Sequence, residues 1–353
     1  MSQPEAVPEP GARFLAEIRE QPAALRRLLE QRDRFREVAT RAPDGFVRMV
    51  AHGSSDNAAS YGVYAFGLLA GQTAMRDSIS LTVYYGAKLD FARSTVIALS
   101  QSGRTPDVLE YVTRARRAGA FTVAVTNDDR SALADAADAV LPLAAGAEHA
   151  VAATKTYLNT LAALALLAAE IGGRGDEIAD GLDWVAGALE QELPLLEREA
   201  AAIAVPFASV GRMFAIGRGP EFATAREIAL KLLETCQIAA EPLTATDLAH
   251  GPVAALDSLF PVWAVATDDE TLDVVVEAAA RIREAGATLI ASGPAAAAIP
   301  DAQYCLPVPT PPNPLLAPLL SVVPGQLFAG AVARAKGLDP DRPRGLSKVT
   351  MAR

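Results

Sequence analysis

Two stretches far apart in this chain follow one plan. "STVIALSQSGRTPDVLEYVTRARRAGAFTVAVT" (94–126) and "PVWAVATDDETLDVVVEAAARIREAGATLIASG" (261–293) each give an apolar strand, a polar turn, a long helical pattern, Ala-Gly-Ala and a second apolar strand. An earlier pair matches more loosely: "FVRMVAHGSSDNAASYGVYAFGLLAG" and "RMFAIGRGPEFATAREIALKLLE" both read strand, glycine turn, helix. Strands alternating with helices build a parallel sheet covered on both faces, so duplication at this scale predicts two such layers rather than one larger core. The 353 residues, 51% of them hydrophobic, supply both. The expected fold class is α/β, with two tandem doubly wound, flavodoxin-like, three-layer α/β/α domains. The expected division is 1–40 for a polar tail and two short lead-in helices broken at Pro22, 41–198, 199–338, and a tail over 339–353.

The two copies differ at their turns. The first has Ser100, Gln101, Ser102, Gly103 and Thr105 entering a helix, and a second hydroxyl turn at Ser54 and Ser55, whose helix is expected to start near Ser55 or Asp56. The second copy has Asp268, Asp269 and Glu270, which repel an anion. Small hydroxyl residues at the carboxyl end of a parallel strand, beside free amides and the positive end of a helix, make a phosphate cradle. A P-loop is excluded, because GxxxxGK[ST] is absent.

The net charge of -10 argues against nucleic acid or an anionic membrane as partner. Cys236 and Cys305 show no metal spacing and only three histidines occur, so no metal site and no cofactor are expected. "MSQPEAVPEPGA" is unlike a signal peptide and "LNTLAALALLAAEIGG" is too short for a bilayer span, so the expected location is cytoplasmic.

In "AREIALKLLETCQ", Glu227, Lys231 and Glu234 fall at i, i+4 and i+7 and share one helical face. Their neighbours Ile228, Ala229, Leu230, Leu232 and Leu233 are apolar, which walls the stripe in rather than solvating it. Enolisation beside a carbonyl needs a carboxylate of raised pKa in a water-poor site and a cation or donor for the oxygen, and this face offers both types of group.

"GSSDN", "SQSGRTPD", "EHAVAATKT", "EIALKLLETCQIAAEPLTATDLAHGP" and "RGLSKVT" occur in the order in which they stand in the sugar isomerase (SIS) domain family, and residues 10–353 resemble the isomerase half of glutamine:fructose-6-phosphate amidotransferase. Ser2 follows Met1, with no glutaminase domain and its amino-terminal cysteine, so the stand-alone glucosamine-6-phosphate deaminases are the nearer likeness. The resemblance implies phosphate binding by Ser100, Gln101, Ser102 and Thr105, with Ser54 and Ser55 toward the sugar. It also implies a backbone contact to the sugar at Val151, and Ala153 stands where the family commonly has serine. Glu234 would move the proton between C1 and C2, Lys231 would position the open-chain oxygen, and Glu227 would support Lys231. His250 would open the ring from the neighbouring subunit of a homodimer. Lys348, on a tail folding into the site, would form a Schiff base or orient the sugar, while Glu148 and Lys155 would support; His52 and His149 are read as structural. The implied reaction converts glucosamine 6-phosphate to fructose 6-phosphate and ammonia. Alternatives are an aminotransferase, isomerase or deglycase acting on galactosamine 6-phosphate or a fructosamine phosphate, and a non-catalytic sugar-phosphate sensor.

Overall fold

The computed structural model describes residues 9–348; residues 1–8 and 349–353, the outer ends of the two expected tails, lie outside the described residues. The lead-in segment forms three helices rather than two, α1 (Ala12–Arg19), α2 (Gln21–Leu29) and α3 (Arg32–Arg41). The first break falls at Glu20, and Pro22 sits in the first turn of α2, where its missing N–H costs nothing.

The first sheet unit runs β1 (Phe46–Val50), α4 (Gly53–Ala70), β2 (Ala74–Arg76), α5 (Ile79–Val83), β3 (Ser94–Leu99), α6 (Pro106–Arg117), β4 (Phe121–Thr126), α7 (Ala132–Ala136) and β5 (Ala139–Pro142). Two long helices follow, α8 (Lys155–Ile171) and α9 (Gly175–Ala204). The second unit repeats the plan with β6 (Arg212–Gly217), α10 (Glu221–Cys236), β7 (Ala239–Thr244), α11 (Ala245–Ala249), β8 (Val262–Val265), α12 (Leu272–Glu284), β9 (Leu289–Gly293), β10 (Tyr304–Pro307) and α13 (Ala317–Ala335).

Both sheets are parallel throughout and share one order, β2-β1-β3-β4-β5 and β7-β6-β8-β9-β10. The order reverses beside the first strand of each sheet, so the loops after β1 and β3 leave toward opposite faces and open a crevice between them. The inner faces meet through helices: α4 packs on α8 and α10, and α10 on α13. This makes one continuous apolar core across the two units, including Tyr61, Tyr157, Trp263 and Phe328. By length and hydropathy α13 could cross a membrane, but 94% of its apolar window is buried inside the protein, as expected of a core helix.

Candidate active site

The hydroxyl turn after β3 is built on Gly103, whose φ of 61° is left-handed and whose missing Cβ would lie 2.0 Å from Ser131 Oγ. Ser100 Oγ accepts from the Gly103 amide at 3.2 Å, Ser102 Oγ from the Arg104 amide at 3.3 Å, and Ser100 and Thr105 share a hydroxyl hydrogen bond of 3.0 Å. Thr105 is the N-cap of α6, yet its side chain makes no capping bond. The hydroxyls therefore shape the turn instead of closing the helix end. The amides of Gln101, Ser102 and Thr105 have no protein partner among the described residues, an arrangement suited to an anion.

Across the crevice, α4 starts at Gly53, two residues before the expected start, with His52 at the N-cap position. This first turn reaches the second unit. Ser54 Oγ and Asn57 Nδ2 donate to the two oxygens of Glu227, both at 2.8 Å, and Lys231 Nζ lies 3.3 Å from Ser54 Oγ and 3.3 Å from Glu227. The third charged group of the stripe, Glu234, accepts from Lys231 at 2.6 Å. Glu227 and Lys231 are fully buried, whereas the Glu234 side chain keeps 23% exposure, which makes it the member of the trio open to a ligand. Burial pushes Glu227 above the usual carboxylate range, opposed by Lys231 and by the Asn57 and Ser54 bonds. Burial disfavours the Lys231 ammonium too, but the two carboxylates more than offset this and raise it, so it stays charged.

The described part of the tail reaches the loop between β5 and α8. Lys348 Nζ donates to Glu148 Oε2 at 2.6 Å and to the Ala150 carbonyl at 2.7 Å. Glu148 is buried, which raises its pKa, but Lys348 and the amides of Thr154 and Thr156 hold it below the usual range overall. The Val151 amide donates to the Asp341 carbonyl of the tail at 3.3 Å. Ala153 is half-buried beside it. Glu17 of α1 accepts from the His149 and Ala150 amides, and burial pushes its carboxyl up to about 7. Lys155 is neither a surface lysine nor in contact with the cluster of Lys231 and Glu234: it is buried and pairs with Glu20 at 2.6 Å, tying α8 to the lead-in helices.

His250 ends α11 and is exposed. The N-cap there is Thr244, which accepts from the Asp247 amide. The expected structural histidine His52 pairs its Nε2 with Asp107 at 2.8 Å while its side chain stays 57% exposed. Asn57 and Asp107 close the quoted motifs "GSSDN" and "SQSGRTPD", but neither was singled out, because each acquires its partner only through the fold. Among the described residues no group of three metal-binding side chains occurs.

In the second unit Glu221, the counterpart of Asn57, is buried and accepts from Thr267 (2.6 Å), Ser321 (2.7 Å) and Thr224 (2.5 Å). A cavity of about 700 Å³ lies under Arg212, Pro261 and Thr288 at the amino ends of the second sheet, whereas ligands of such sheets bind at the carboxyl ends.

If the hydroxyl turn binds a phosphate, Ser102→Ala with Thr105→Ala raises KM for a phosphorylated sugar, at about 1.5–3 kcal/mol for each charged hydrogen bond lost, while Tm stays nearly constant. Steady-state kinetics and thermal melts check both; an unchanged KM would leave the two hydroxyls a purely structural part.

Two parallel sheets of one order, with the first turn of α4 hydrogen-bonded to the buried charged face of α10, define a duplicated α/β protein. The SIS domain matches residues 47–170 and 207–335, one copy for each sheet, and the chain belongs to the SIS domain family. It is 34% identical over 359 aligned residues to a glutamine--fructose-6-phosphate aminotransferase [isomerizing] of Gloeobacter violaceus, covering 95% of this chain and 58% of that protein. The chain thus spans about half the length of the curated relatives it matches. Among solved structures, the C-terminal domain of glucosamine-fructose-6-phosphate aminotransferase from Francisella tularensis superposes with a TM-score of 0.85 at 26% identity, covering 94% of this chain and 98% of that one. A glucosamine-6-phosphate deaminase of Thermotoga maritima shares the fold, with a TM-score of 0.78 at 20% identity, covering 97% of this chain and 100% of that one.

Proposed function

We propose that the chain is a phosphosugar isomerase-deaminase that converts glucosamine 6-phosphate to fructose 6-phosphate and ammonia without drawing on glutamine. The observation that carries this reading is the trio on α10. A charged, buried Lys231 presses on Glu234, the one carboxylate of the trio that opens to the crevice, opposite a turn of free amides. The sugar phosphate would place its phosphate on the turn of Ser100–Thr105 and its reacting end between Ser54 and Glu234. Glu234 takes the proton from one of C1 and C2 and returns it to the other. Lys231 stabilises the oxygen as it becomes enolic, and ammonia leaves C2 once the imine so formed is hydrolysed. Lys348, held by Glu148, orients the open chain. Incubating the protein with glucosamine 6-phosphate, galactosamine 6-phosphate and a fructosamine phosphate, while assaying ketose and ammonia, tests the assignment. Ammonia from glucosamine 6-phosphate is expected, and binding without turnover of any of the three would favour a sensor.

The exposed His250 is assigned to the site of a second copy, giving a homodimer with reciprocal sites. Mixing His250→Ala with Glu234→Gln under subunit exchange then creates mixed dimers with one intact site, and activity returns to about one quarter of wild type. No recovery despite demonstrated exchange would put His250 and Glu234 in one subunit's site.

A further inference from the structure

His52 and Asp107, at the first turns of α4 and α6, have no task in the trio or the tail. His52 is the residue immediately before the Gly53–Ser54–Ser55 turn, at the N-cap position of α4, and its ring makes no capping bond. Its Nε2 is instead 2.8 Å from Asp107 Oδ2, on the first turn of α6 and two residues beyond Thr105. The pair therefore spans the mouth of the switch-point crevice, joining the turn that would face the sugar to the turn that would hold the phosphate. Asp107 is nearly buried, and its second oxygen accepts from the Val108 amide at 2.9 Å, so the carboxylate is fixed. The imidazole it fixes is 57% exposed, and Nδ1 has no partner among the described residues. A carboxylate on one ring nitrogen sets the tautomer and presents the other nitrogen for proton exchange.

We propose that His52, oriented by Asp107, is the proton donor to the ring oxygen when the bound pyranose opens. The inference rests on the sugar-phosphate reading above. In a hexose 6-phosphate the ring oxygen is carried on C5, next to the phosphorylated C6, so a phosphate on the Ser100–Thr105 turn brings O5 to the end of the crevice that His52 and Asp107 span. The C1–O5 bond breaks with its electron pair going to O5, which takes the proton from Nδ1 of the imidazolium. The C1 hydroxyl gives up its proton to the second histidine, His250 of the other copy, as the C1 carbonyl forms. The two imidazoles regain their starting states by exchange with water, and no oxidant or metal enters the balance. Asp107 acts through His52 and is a positioning residue.

Ring opening is measured apart from enolisation by following exchange between the α and β anomers of glucosamine 6-phosphate by NMR in the Glu234→Gln variant, whose C1–C2 step is blocked. Glu234→Gln is expected to accelerate anomer exchange over buffer. Adding His52→Gln lowers that acceleration about a hundredfold, within the range of a lost general acid. Adding Asp107→Asn instead lowers it about tenfold, with affinity for the sugar phosphate changed less than twofold in both cases. Because His52 is exposed, the variant should fold, and its Tm is checked. Anomer exchange in Glu234→Gln/His52→Gln equal to that of Glu234→Gln overturns the proposal, as does a Glu234→Gln protein that does not accelerate exchange at all. Turnover by wild type, measured in parallel, separates the two levels. A wild type that releases neither ketose nor ammonia overturns the reading of the substrate, whereas an active wild type with unaltered exchange overturns the role of His52 alone.

Discussion

Glu234→Gln is expected to bind sugar phosphate as wild type does and to turn it over 10²–10⁴-fold more slowly, about the contribution of a general base. The amide keeps the shape and the 2.6 Å contact through which Lys231 donates, since the glutamine oxygen still accepts. What it loses is the ability to take a proton. Ligand binding followed by calorimetry and kcat by ketose release check the two halves, and a wild-type kcat would move the base to Glu227 or Glu148. Both are less suited than Glu234, because the two oxygens of Glu227 are engaged by Ser54 and Asn57 and those of Glu148 by Thr154, Thr156 and Lys348.

Lys231→Met is expected to be the most damaging single change to stability. The ammonium is fully buried between Glu227 at 3.3 Å and Glu234 at 2.6 Å, and removing one partner of a buried pair costs about 3–5 kcal/mol because the other is left charged and unpaired. Urea unfolding with an unchanged m-value reads this loss directly. Adding Glu227→Gln should recover part of it, since the stranded carboxylate is gone. The pH response has a definite sign. Glu227 already lies above its unfolded pKa through burial, and losing Lys231 removes what opposes this. The folded variant then binds more protons than the unfolded chain through the acid range, so its stability rises as pH falls toward the unfolded value and is lost as pH rises through the folded one. A variant as stable as wild type at neutral pH would show that the trio is not electrostatically coupled.

The duplicated sheet was legible in the sequence because strand, turn and helix are local patterns, and copies of them stand side by side in "STVIALSQSGRTPDV" and "PVWAVATDDETLDVV". The shared face of Glu227, Lys231 and Glu234 was legible for a similar reason, as helical spacing alone aligns it. Its environment was readable only in part: apolar neighbours indicated walls, but not that Ser54 and Asn57 of the other unit supply them. The break at Glu20 escaped because Pro22 drew attention to itself, although a proline in a first turn starts a helix as readily as it stops one. The partnership of His52 and Asp107 escaped because it is a contact between two loops that meet only once β1 and β3 pair.

Both ends of the described chain converge on one strap. The Asp339 carboxylate accepts from the Gly11 amide, Asp341 from those of Arg13 and Phe14, and the same tail goes on to deliver Lys348 to Glu148. Mechanically, α1 and the tail are connected in series, so a load applied at Gly11 is transmitted toward Lys348 through a few hydrogen bonds. Whatever is joined ahead of Gly11 would hold a lever on the far end of the polypeptide, and a tug on that lever should register as slack in the grip on Lys348.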